Sequence, residues 1–139
     1  MRQAQSTILV KTSGTGLVEI TSSVAGWLRE LRVDMGQVTV FCRHTSSSLT
    51  IQENADPDVQ LDLVEFFKRL VPEGVPWFKH RDEGLDDMPA HIKSALTDVS
   101  ITIPVSRGKM VLGTWQGIYL FEHRNRPHQR DVVLHFLGE

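Results

Sequence analysis

A chain of 139 residues has the usual length of one domain and can bury a core without disulfides or a structural metal. Its 40% hydrophobic and 23% charged residues are those of an ordinary globular protein, and a formal net charge of -2 excludes the global positive field needed for wholesale capture of nucleic acid or anionic membrane. Cys42 is the single cysteine, so an internal disulfide and a multi-cysteine zinc site are excluded, and any metal must be held by His and carboxylates.

No stretch approaches the ~18 apolar residues of a membrane span, and residues 1–6 lack the apolar core of a signal peptide. A cytoplasmic protein is expected. Residues 7–12 alternate apolar Ile8 and Val10 with polar neighbours, and Ser13-Gly14-Thr15-Gly16 supplies turn residues before a second extended run at 17–20. This predicts an opening hairpin. Thr21 or Ser22 then caps a helix in which Val24, Trp27, Leu28 and Leu31 share one apolar face. Residues 37–42 are a β-branched and aromatic run, read as a buried strand that delivers the chain to His44.

After a short extended segment at 49–52, Asp56-Pro57 signals a helix start, and Val59, Leu63, Phe66, Phe67 and Leu70 form its apolar stripe. Pro72 to Pro76 stops that helix, and a loop carries Trp77, His80 and Gly84 to a shorter helix beginning near Pro89, where His91 and Ala95 share a face. Strands follow at 99–104, 110–113, 118–122 and 131–137, with Ser106-Arg107-Gly108-Lys109 as a tight turn, so the C-terminal half reads as an antiparallel meander. Strands and helices come in blocks. The expectation is a single α+β domain over residues 1–139, a largely antiparallel sheet or sandwich with two to three packed helices.

Several residue groups can carry chemistry. His44-Thr45-Ser46-Ser47-Ser48 places four hydroxyls after a buried strand, followed by Glu53 and Asn54 near a helix start. Such groups hold phosphate or carboxylate oxygens, although a polar turn with capping side chains fits the same residues. His80, with His91 eleven residues later, offers two imidazoles that suit a divalent ion when a third ligand joins from elsewhere. The same rings serve equally as general acid and base. In Gly113-Thr114-Trp115-Gln116-Gly117, Trp115 can wall a pocket with Gln116 as its polar contact, or simply lie in the core beside a bulge. Arg124 and Arg126 read as a solvated hairpin tip, and Cys42 as a small buried side chain rather than a nucleophile.

Taken together, His44 through Pro57, His80 to Gly84, Ala90-His91-Ile92, Ile103-Pro104-Val105 and Leu112 through Gln116 resemble the YjbQ family, also described as secondary thiamine-phosphate synthases. The resemblance implies an α+β homotrimer with polar pockets near subunit contacts. It implies a transferase joining hydroxymethylpyrimidine diphosphate to thiazole phosphate, with Glu53, His80 and His91 as catalytic residues. His44, His80 and His91 would hold a divalent metal, zinc being favoured by three imidazoles and Mg by a diphosphate. Thr45, Ser46, Ser47, Trp115, Gln116 and Arg130 would contact the phosphorylated small molecule, Arg130 beside the leaving diphosphate. No nucleic-acid or membrane partner is expected. A metal-dependent hydrolase and a metal- or small-ligand-binding module without catalysis are the alternatives.

Overall fold

The computed structural model describes residues 1–139. Eight strands and three helices succeed one another as β1 (Arg2–Lys11), β2 (Gly16–Glu19), α1 (Thr21–Leu31), β3 (Gly36–Cys42), β4 (Ser47–Glu53), α2 (Pro57–Leu70), α3 (Asp87–Leu96), β5 (Ser100–Ser106), β6 (Lys109–Met110), β7 (Gln116–Glu122) and β8 (Gln129–Gly138). They form a five-stranded sheet in the order β1-β8-β3-β5-β6 and a three-stranded sheet in the order β2-β7-β4. Every pairing is antiparallel, so the α+β expectation holds.

Side-chain alternation explains how the sheets face each other. Val38, Val40 and Cys42 on β3, Val132, Leu134 and Phe136 on β8, and Ile103 and Val105 on β5 are buried at every second position. The register sets Val38 opposite Phe136 and Val40 opposite Leu134, and a slip by one residue would turn this whole set to solvent. A Cβ on Gly36 would overlap the Leu137 carbonyl and the Gly138 Cα, so glycine is required where β3 and β8 approach most closely. From the second sheet, Leu49, Ile118 and Leu120 complete the core, and Val24 and Leu28 of α1 close one end of it.

β7 is buried at every position from Gly117 to Glu122 because it is apolar on both faces. Ile118 and Leu120 meet the first sheet; Phe121 turns outward and packs edge-on against Phe67 of α2, with ring centroids 5.4 Å apart. Of the α2 stripe, Val59, Leu63 and Phe67 are half-buried, whereas Phe66 and Leu70 stay exposed at 58% and 53%. The helix begins as its local code dictates, with Asp56 accepting from Asp58 N at 2.9 Å and Pro57 in the first turn.

Neither Thr21 nor Ser22 caps α1, whose N-cap is Ile20 without a side-chain hydrogen bond, and two expectations of topology fail as well. β1 and β2 do not form a hairpin: the intervening turn carries the chain from one sheet to the other, so β1 pairs with β8 and β2 with β7. Nor is the C-terminal half a meander. Only β5 and β6 are a sequential hairpin, closed by Arg107 and Gly108 at φ 53° and 75°, the left-handed pair of a two-residue turn. β7 crosses to the second sheet, where both its faces are covered, and β8 inserts between β1 and β3.

At the end of β7, Glu122 is fully buried and accepts from Thr12 Oγ1 at 2.7 Å, Arg130 Nε at 2.8 Å, His123 N at 3.0 Å and Arg124 N at 3.1 Å, with Arg130 Nη2 on Oε2 as a further donor. Burial alone would raise its carboxyl, but the hydrogen bonds from Arg130 and Thr12 outweigh that and hold it low. Beside it, burial and the nearby Lys93 charge push the His123 imidazole down to about 3, so this ring is neutral in the fold. Its Nε2 lies 2.8 Å from Ser48 Oγ, while Nδ1 has no partner.

Removing one member of a buried pair strands the other, so Arg130→Met is expected to cost about 3–5 kcal/mol in urea unfolding, with much of it recovered when Glu122→Leu is added. His123 takes up its proton at about 6.5 once unfolded but only at about 3 in the fold. Its stabilising contribution is therefore complete above pH 6.5 and lost as pH falls toward 3, with a slope of at most about 1.4 kcal/mol per pH unit. The melting midpoint should fall steadily on acidification from pH ~6.5, and His123→Phe should flatten that fall. A wild-type midpoint that stays level down to pH ~4 would count against the assignment.

Candidate metal centre

α3 and the loop before it bring three donors together. His80 comes from the loop, and Asp87 and His91 are one turn apart on α3, so their side chains rise on the same face. Asp87 Oδ2 is 2.6 Å from His80 Nε2 and 3.2 Å from His91 Nε2, and the three ligand atoms all lie within 4.8 Å of one another. The His80 and His91 rings stand edge to face with centroids 5.3 Å apart.

Two of the three donors, His91 and Asp87, are oriented from behind. His91 Nδ1 donates to the Thr45 carbonyl at 2.9 Å, which fixes the ring with Nε2 toward Asp87. The Asp87 side chain is only 2% exposed, and its other oxygen accepts from Arg124 Nη1 at 2.8 Å. Arg124 also donates through Nε to Asp86 Oδ2 at 3.0 Å and through Nη2 to the Glu83 carbonyl at 2.8 Å. Burial alone would raise the Asp87 carboxyl; the His80 hydrogen bond and the charges of His91 and Arg124 override it and keep the group below the usual carboxylate range. Asp86 is likewise held low by Arg124 and Asn125 N against burial. The site therefore presents one fixed anion to two imidazoles.

Beside the cluster opens a cavity of about 680 Å³ with Phe41, His44, Thr45, His91, Ser94 and Thr97 in its wall. His44 belongs to this wall and not to the three-donor cluster, because its Nε2 accepts from Asp131 N at 2.8 Å. Burial and the Arg130 charge lower its pKa. Asp87 thus stands where a third imidazole was expected. The Cys42 thiol also lines the cavity and is pushed up by burial, in keeping with a non-nucleophilic side chain.

The expected phosphate ligands are placed differently. The Thr45 and Ser46 carbonyls serve the fold, the first toward His91 and the second toward Arg130 Nη2 and His123 N at 3.3 Å each. Ser47 is fully buried with its hydroxyl 3.3 Å from Cys42 Sγ, so it is closed to an external ligand. Arg130, 4% exposed, is spent on Glu122 instead of a diphosphate. Glu53 ends β4, ~20 Å of strand beyond Ser47, opposite Gln116, where its Oε2 accepts from Asp56 N at 3.2 Å. Trp115 is 62% exposed, and Gln116 accepts from Gly113 N at 2.8 Å. Glu53, Trp115 and Gln116 form a group apart from the imidazoles.

The sequence reading missed Asp86, Asp87 and Arg124. An Asp four residues before a His at a helix start was the available signal for Asp87. Nothing local marks Arg124, read as a solvated tip, whose partners lie 37 and 38 residues earlier.

The chain is an antiparallel α+β sandwich flanked by helices, with a histidine–aspartate cluster at the start of one of them. A family model described as "UPF0047 protein YjbQ-like" matches residues 6–139, and the chain belongs to that family. UPF0047 protein sll1880 of Synechocystis is 53% identical over 138 residues, covering 99% of this chain and 94% of that one. UPF0047 protein YjbQ of Escherichia coli O157:H7 is 39% identical, covering 97% and 98%. Among solved structures, hypothetical protein APE1520 of Aeropyrum pernix superposes with a TM-score of 0.89 at 31% identity, covering 98% of this chain and 99% of that one. An uncharacterised conserved protein of the yjbq/upf0047 family from Clostridium acetobutylicum gives 0.86 at 37%, covering 94% and 98%. None of these relatives is named for an activity, and the first two and the Clostridium protein bear only the family name, so the thiamine-phosphate synthase expectation is withdrawn. No helix is long and apolar enough to cross a membrane.

Arg124→Gln removes the charge that compensates Asp86 and Asp87 and is expected to destabilise the fold by about 2–4 kcal/mol in denaturant titration. The same variant should alter the proton resonances of His80 and His91, which Arg124 does not touch. Unshifted ring signals would show that Asp87 keeps its place without the guanidinium.

Proposed function

We propose that this protein binds a divalent transition ion of the zinc class through His80 Nε2, Asp87 Oδ2 and His91 Nε2. The supporting observation is the convergence of two imidazole nitrogens on a buried carboxylate oxygen, with all three ligand atoms within 4.8 Å. Two nitrogens and one oxygen suit zinc and its neighbours better than magnesium, which favours all-oxygen shells. Asp87 is available as an anion because Arg124 holds its far oxygen, and His91 offers Nε2 because Thr45 fixes its Nδ1 proton. Three protein ligands leave room for an external oxygen ligand, and the ion would supply Lewis-acid polarisation to it. The adjoining cavity, with His44 and Thr45 in its wall, would admit that small molecule. Homotrimeric assembly is part of the same proposal; the outer face of the five-stranded sheet, carrying Thr39, Thr102 and His135, has no layer of this chain over it.

The 2.6 Å contact of His80 with Asp87 also favours a second reading, in which the carboxylate orients His80 as a metal-free general base. Metal titration separates the two. Zinc or cobalt added to EDTA-stripped protein should bind near one per chain and raise thermal stability, by about 2.7 kcal/mol at a hundredfold excess over Kd. Asp87→Asn and His80→Ala should each weaken binding by about 10–100-fold. Stripped protein that takes up no metal in calorimetry removes the metal proposal and leaves the general-base reading.

A further inference from the structure

A second cavity, of about 450 Å³, lies between the end of α2, the segment that follows it and the β7–β8 loop. Val64, Lys68, Glu73, Lys93 and Asn125 are in its wall. Lys93 follows His91 by two residues, about 200° around α3, so it faces away from the histidine–aspartate cluster.

Lys93 is the anomalous group here. It is 8% exposed, a depth at which lysine is almost never found unpaired. Yet its ammonium makes no hydrogen bond and no salt bridge; only its backbone carbonyl is engaged, accepting from Thr97 Oγ1 at 2.7 Å. Nearby carboxylates are committed elsewhere. Glu73 accepts from Asn125 Nδ2 at 2.9 Å, and Asp86 accepts from Arg124 Nε and from Asn125 N at 2.8 Å. A mostly buried lysine whose ammonium has no protein partner and borders a cavity is a group prepared for an external anion.

We propose that this cavity binds the phosphate or carboxylate group of a small molecule, with Lys93 as the buried counter-ion, Lys68 as a second cation at the mouth and Val64 against the apolar remainder. The two lysines outweigh the single carboxylate of Glu73 in the wall. Phosphate binds as a point-charge partner of lysine without needing the planar fork of arginine, which this cavity lacks. The site is independent of the metal centre.

The test is calorimetric titration of the full-length, EDTA-treated protein with inorganic phosphate and, separately, with succinate. Saturable binding of at least one is expected, weakened about tenfold or more in Lys93→Gln and about threefold in Lys68→Gln. His91→Ala should bind as the wild type does, which separates this site from the metal cluster. Binding of phosphate alone, or of succinate alone, identifies the anion class. Should Lys93→Gln fail to fold, wild-type protein with ¹³C-labelled lysine serves: phosphate or succinate must move the Lys93 Cε resonance. Neither anion binding, binding unaltered in a folded Lys93→Gln, or a Lys93 resonance insensitive to both would overturn the proposal.

Discussion

The Glu122 carboxylate, with no exposed surface, is the constraint on which the rest of this molecule is built. It gathers the end of β1 through Thr12, the start of β8 through Arg130, and the backbone of its own two successors, His123 and Arg124. An acid in that position is tolerable only when each lone pair finds a donor, and here the donors come from three different stretches of chain. Their effect continues past the carboxylate. With its backbone N–H tied to Glu122, Arg124 carries its guanidinium to Asp86 and Asp87, and Asp87 in turn sets the spacing of His80 and His91. A core ion pair and a surface-accessible cluster are thus consecutive links of one network.

That network also accounts for what could be read in the sequence. The start of α2 was legible because Asp56 and Pro57 act on their own first turn, and the β5–β6 hairpin because Arg107-Gly108 decides its own backbone geometry. The apolar face of α1 was legible from spacing alone. Strand partnership was not: β1 meets β8 across nearly the entire chain, and no residue in either states which strand will be its neighbour. Two of the three cluster members were visible as His80 and His91. Asp87 was hidden, because a surface-looking acid becomes a buried anchor only when Arg124 arrives from the far end of the polypeptide. Arg130 and Ser47 mislead in the opposite sense. Their chemistry suits an oxyanion, but the fold uses the first to neutralise Glu122 and encloses the second beside Cys42.

α3 stands between two environments with different chemistry. One face offers an anion to two imidazoles; the other carries an unpartnered lysine beside a cavity. Helical geometry makes this separation automatic, since residues four apart share a face and residues two apart oppose one another. Asp86 and Asp87 are neighbours in the sequence and are bridged by the same guanidinium at the start of the helix.

The five-stranded sheet has unequal borders: β1 runs for ten residues along one margin, whereas β6 occupies the other for only two. Along the long margin, alternate peptide groups of β1 face away from β8 and depend on solvent for their hydrogen bonds. In heavy water those outward amides would trade protons early while their inward neighbours kept theirs, marking this border with a two-residue rhythm of isotope uptake.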